Sequence, residues 1–156
     1  MSGSLQKEIK QEKPFGTLEQ EVVLNVMRTA GAFRKGVAEV LKPFDLTSAQ
    51  YNILRILRGA SEDGLPCSEV GDRLVSRDPD VTRLLDRLEK RGLITRGRSA
   101  TDRRVVNVRI TKAGLDQVDQ LDAPMQDVHV AQLGHMKKKN LKALVELLEK
   151  ARRGAD

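Results

Sequence analysis

The chain has 156 residues, of which 39% are hydrophobic, 32% charged and only 3% aromatic, with no Trp. That suffices for one domain plus a modest extension, but so few rings argue against a base-stacking platform for single-stranded nucleic acid, and no stretch approaches the roughly 20 apolar residues of a membrane span. The net charge is +6, all of it between Asp72 and Lys112, where twelve bases face six acids. Charge concentrated in this way points to a polyanionic partner; a solvated charged face is the alternative. The N-terminal MSGSLQKEIKQEK has no apolar signal core, and the lone Cys67 excludes an intrachain disulfide. Together these favour a cytoplasmic protein.

Residues 1–16 are polar, of mixed charge, and contain Pro14 and Gly16; they read as a flexible tail. From Leu18 to Leu41, Val23, Met27, Ala30, Phe33, Val37, Val40 and Leu41 follow helical spacing. Val22, Leu24 and Val26 widen that stripe, so the helix is expected to pack on a partner as well as on its own domain. Pro43 ends it. Leu46-Thr47-Ser48-Ala49-Gln50 predicts a capping box, with Thr47 as cap, Gln50 reaching back and Leu46 as staple. The helix behind it runs to about Arg58. A short helix follows from about Cys67 to Val75, with Val70 and Leu74 inward.

Asp78-Pro79 predicts the next helix start, with Asp78 as cap and Pro79 in the first turn. That helix runs to Arg91, buries Val81, Leu84, Leu85 and Leu88, and stops at Gly92. Two strands come next, near Leu93–Thr95 and Val105–Ile110, with Val106, Val108 and Ile110 sharing a face. Thr111 caps a helix carrying Leu115, Val118, Leu121, Met125 and Val128, expected to bend at Pro124. A last helix from about Lys138 to Arg153 puts Leu141, Leu144, Val145 and Leu148 on one side. The chain therefore reads as mainly α: a winged helix-turn-helix at 45–112 with a two-stranded β-hairpin wing. It is flanked by an N-terminal dimerisation helix at 17–44 and C-terminal dimerisation helices at 113–156.

In a helix-turn-helix the second helix enters the major groove of DNA. Here burial of the apolar residues leaves Asp80, Thr82, Arg83, Asp86, Arg87 and Lys90 facing out. Thr82 can touch a thymine methyl or donate to a base. Arg83 and Arg87, one turn apart, can reach guanine edges or phosphates. Arg77 lies where a phosphate meets the helix N-terminus. An ordinary amphipathic helix with a charged outer face is the bland alternative. The hairpin weighs against it. Its loop gathers Arg96, Arg98, Arg103 and Arg104 around Asp102, as a minor-groove probe requires, and Asp102 is placed to hold an arginine's rotamer.

Residues 65–114, and within them VTRLLDRLEKRGLI (81–94) and DRRVVNVRITKAG (102–114), resemble the core of the MarR family of bacterial transcriptional regulators. The stretch LTSAQYNILRIL (46–57) and the terminal helices extend the resemblance over about 17–153. It implies a homodimer held by the terminal helices, with one winged helix per subunit on a pseudo-palindromic double-stranded operator. It also implies a small lipophilic or phenolic effector, in a pocket between the first two helices and the helix after the wing, that releases a repressor. By the resemblance, Asp102 and Arg104 match the wing-tip pair, and Thr82 and Arg83 the reading-helix contacts. Ile110 stands where the family usually has leucine. Asp80, an acid near DNA, is expected to orient an arginine such as Arg77 or to select cytosine through its amine.

No cofactor is expected, and no nucleophile–base pair, phosphate-cradling glycine loop or paired carboxylates suggest an enzyme. Cys67 reads as a small semi-buried core residue, with a redox switch as the alternative. His129 and His135, six residues apart, suit solvent-exposed positions better than a metal site. Lys137-Lys138-Lys139 reads as a solvated turn. The competing functions are a winged-helix protein-interaction module, which needs no basic wing, and a nonspecific DNA-architectural protein.

Overall fold

The computed structural model describes residues 4–77 and 80–155. Its helices are α1 (Leu5–Glu8), α2 (Leu18–Leu41), α3 (Ser48–Arg58), α4 (Cys67–Asp72), α5 (Val81–Lys90), α6 (Lys112–Leu133) and α7 (Lys138–Arg152), with a 3₁₀ turn at Lys42–Phe44. Three strands, β1 (Leu65–Pro66), β2 (Ile94–Arg98) and β3 (Val106–Ile110), form one antiparallel sheet in the order β1-β3-β2. The architecture is a winged helix-turn-helix with helical extensions at both ends, as the sequence predicts.

Local chemistry sets the helix starts. Thr17 accepts the Gln20 amide at 3.1 Å to open α2. At α3 the capping box forms in full: Thr47 accepts from the Gln50 amide at 3.2 Å, and the Gln50 side chain accepts from the Thr47 amide at 3.0 Å. Each such cap contributes about 1 kcal/mol. Thr111 opens α6 by accepting from the Gly114 amide, and its hydroxyl donates to the Gly92 carbonyl just beyond α5. Gly114 is required there, because a Cβ would run into the Leu93 carbonyl.

The core sits where α3, α4, α5, the sheet and α6 converge. Ile53, Leu54, Val70, Leu85, Leu88, Val108, Val118 and Leu121 are fully buried within it. Each such side chain contributes about 1.5–3 kcal/mol by leaving water. α6 runs through Pro124 to Leu133 as one helix. α7 has no buried residue, and among the described residues it makes no extensive packing contact with another element.

Four expectations need correction. The sheet has a third strand, β1, in which Leu65 pairs with Val108 and Pro66 with Asn107; two residues ending in proline give no strand signal, although an edge strand tolerates proline. α4 is shorter than expected, ending at Asp72. α5 begins at Val81 with Asp80 as cap, while the expected cap Asp78 and first residue Pro79 lie outside the described residues. Within the segment expected to be a flexible tail, Leu5–Glu8 forms a helical turn; Leu5 is buried and Glu8 lies 3.8 Å from Arg28 of α2.

Candidate nucleic-acid interface

The sequence of α5 divides its surface in two. Leu85 and Leu88 are fully buried, and Val81 and Leu84 partly, which turns Thr82, Arg83, Asp86, Arg87 and Lys90 outward. Asp80 accepts the Arg83 amide at 3.3 Å as the N-cap, and its other oxygen lies 4.0 Å from the Arg83 guanidinium. An arginine that this acid orients is therefore Arg83, within the first turn of its own helix. Arg77 is exposed ahead of the helix. Asn52 of α3 accepts the Val75 amide at 2.8 Å and fixes the turn between α4 and α5.

The hairpin brings the second group together. β2 and β3 pair from Ile94–Ile110 to Arg98–Val106, and residues 99–105 form the wing tip. There Arg98, Arg103 and Arg104 are exposed. Arg104 is 90% exposed yet held: its Nε and Nη2 donate to the two oxygens of Asp102, each at 3.2 Å, while its amide donates to Asp102 at 3.0 Å. These bonds hold the Asp102 carboxyl below the usual carboxylate range. The arginine therefore stands in solvent with much of its rotamer freedom already lost, which lowers the ordering cost of binding.

Not all the basic residues face out. Arg96, expected at the wing tip, lies in β2 and turns to α5, donating to Asp86 at 2.6 Å and to Glu89 at 3.1 and 3.2 Å. These bonds lower the Glu89 pKa and raise that of Arg96. Arg109 points back to Asp63 at 2.8 Å. Arg91 donates to the Asp45 and Phe44 carbonyls at 2.5 and 2.9 Å, pinning the end of α5 to the turn that follows α2. Of the five arginines in 95–111, two are thus internal braces and three face outward. Sequence reasoning missed the braces because a charge count does not record direction; in Arg96, strand alternation next to an acidic helix face is the signal that could have found one.

An open groove of about 590 Å³ lies between the end of α2, the start of α3 and the outer face of α5, lined among others by Ala38, Lys42, Leu46, Gln50, Arg87 and Lys90. It is bounded by α5 and not, as expected of an effector pocket, by α6. His129 and His135 are not buried, and no cluster of potential metal ligands occurs among the described residues. Cys67 is half-buried against the core. No helix among the described residues is long and apolar enough to cross a membrane.

A family model described as MarR family matches residues 44–105. The chain is 32% identical over 106 residues to the HTH-type transcriptional regulator TtmR of Methylorubrum extorquens (strain PA1), covering 68% of this chain and 53% of that protein, so it spans about half of that relative. It is 39% identical to a MarR transcription factor of known structure from Planctomyces limnophilus, with a TM-score of 0.66 over 87% of this chain and 98% of that one. It is 26% identical to a mutant MarR from E. coli, solved in complex with operator DNA, with a TM-score of 0.75 over 87% and 99% of the two chains.

Proposed function

Because this chain belongs to the MarR family of transcriptional regulators, we propose that it is a homodimeric repressor that binds a pseudo-palindromic double-stranded operator and is released by a small lipophilic or phenolic molecule. α5 enters the major groove, with Thr82 and Arg83 on base edges and Arg77 and Arg87 on phosphates. The wing enters the adjacent minor groove through Arg103 and Arg104, with Arg98 on the flanking backbone and Asp102 orienting Arg104. The observation that carries this reading is the pairing of two unburied cationic surfaces, the outer face of α5 and the wing tip, on elements joined by Arg96. The E. coli relative captured on operator DNA supports it.

The dimer reading is supported by apolar surface that the chain leaves uncovered. Leu18, Val22, Val23, Val26 and Met27 of α2 are exposed, as are Val130 of α6 and Val145 and Leu147 of α7. Joining these terminal helices across a two-fold axis covers them and sets two α5 helices about 34 Å apart, one turn of DNA. The effector reading rests on the groove beside α5: a ligand with an apolar body and a phenolate or other acidic group there competes with DNA for Arg87 and Lys90.

Selection of bound sequences from a random duplex pool tests the proposal. An inverted repeat with half-sites about 10 base pairs apart is expected. Enrichment of no sequence would favour an architectural protein, and absence of duplex binding would favour a protein-interaction module. Within a selected site, Arg104→Ala should weaken binding by about 1–3 kcal/mol and reduce the salt slope by about one contact.

A further inference from the structure

Asp63 lies between α3 and β1, far in sequence from the wing, yet its carboxylate gathers the base of the wing loop. One oxygen accepts from the Ala100 amide at 3.0 Å and from Arg109 Nη2 at 2.8 Å. The other accepts from Ser99 Oγ at 2.8 Å and Asn107 Nδ2 at 3.0 Å. Asn107 Nδ2 also donates to the Asp63 backbone carbonyl at 2.9 Å, and Arg109 Nη2 to the Arg98 carbonyl at 3.2 Å. Ser99 and Asn107 are buried, although both are polar. Gly64, at φ +78°, presses this loop onto β3 so closely that a Cβ would collide with the Val108 carbonyl. The Ala100 amide, then Ser99 and Arg109, hold the Asp63 carboxyl down to about 2.

We propose that Asp63 is a positioning residue for DNA binding: without touching the duplex, it fixes both ends of the wing loop in the shape that presents Arg103 and Arg104. This role rests on the DNA-binding reading above. The physical reason is that a loop of unconstrained residues loses backbone freedom when it docks. Four donors converging on one anion make that loss part of folding, so less of it falls on association. Asp63 itself is engaged by donors of its own chain on both carboxylate oxygens, and its role in binding is exerted through the loop they hold.

The test measures two things on the full chain: amide hydrogen exchange, and binding to a duplex selected by the wild-type protein. Asp63→Ala should speed exchange of amides 99–105 about tenfold or more while amides of α5 keep their wild-type rates. It should weaken duplex binding about tenfold, the scale of a lost charged hydrogen-bond network. Asp63→Asn, which keeps the shape but not the charge, should do the same to a smaller degree, and it carries the test if the alanine variant fails to fold. Because Asp63 acts through the wing, Arg104→Ala should cost much less in the Asp63→Ala background than in wild type. A purely structural role predicts additive losses, and additive losses overturn the proposal, as does a wing whose exchange is unchanged. If the wild-type protein binds no duplex, the DNA reading falls and this role falls with it; faster wing exchange in the variants would then identify a brace serving some other partner.

Discussion

The two ends of the molecule expose different chemistry and support it differently. Around α5 and the wing, exposed cations stand beside half-buried braces, Arg96 with Asp86 and Glu89 and Arg109 with Asp63, and the exposed Arg104 is itself held by Asp102. On α2 and α7 the exposed side chains include Val22, Val23, Met27, Val145 and Leu147, and α7 contributes nothing to the core. A surface built to meet charge has its groups fixed in advance, because each freely rotating arginine would add to the ordering cost of binding. An apolar surface needs only cover, and the cover itself supplies the order. On the proposed function, the difference separates a partner that is read from a partner that completes the fold.

The comparison is broken most severely at its apolar end. Val23→Glu together with Met27→Glu should leave a monomer by light scattering and weaken operator binding about 100-fold or more, since two linked half-sites act with the gain of bivalency. A dimer that persists would assign the α2 face to solvent. Next in size is the shared core. Leu88→Ala should lower stability by about 2–5 kcal/mol in a denaturant melt, and binding should fall only as the folded fraction falls.

At the charged end the effects are smaller and more specific. Arg83→Ala should cost about 1–3 kcal/mol of binding and relax base preference at one position; a uniform loss across all sequences would make Arg83 a phosphate contact. The mildest test is acid. Asp63, with its carboxyl lowered from 3.8 to about 2, contributes stability that is complete above about pH 4 and is lost as pH falls toward about 2. Glu89, Asp102 and Asp122 are shifted in the same direction. Asp63→Asn should therefore flatten the stability-against-pH curve in that window and leave its slope at neutral pH unchanged.

What the sequence made legible was what lies within a few residues of itself. The Thr47–Gln50 box, the Thr111 cap, the stop at Gly92 and the two faces of α5 each follow from spacing of four residues or fewer, and each is present. The resemblance carried Asp102 and Arg104, and their pairing is found. What stayed hidden depends on distant neighbours. Asn107 breaks the expected alternation of β3, buried beside Val108 because Asp63 lies over it. The partners of Asp63 are 36 to 46 residues away. Arg58 reaches from α3 to Asp119 and Asp122 on α6. None of these bonds has a local pattern, and each fastens two elements that lie far apart in sequence.

Arg96 has a consequence of another kind. By bonding β2 to both acids on α5, it turns helix and wing into a two-pronged fork of fixed gauge. On the proposed docking, such a fork fits only where the wide and narrow grooves stand at one mutual offset, and that offset shifts as a duplex is over- or underwound. On that docking, torsional stress in the template would become an input to occupancy alongside base sequence, carried by a guanidinium whose bonds are to the acids of α5.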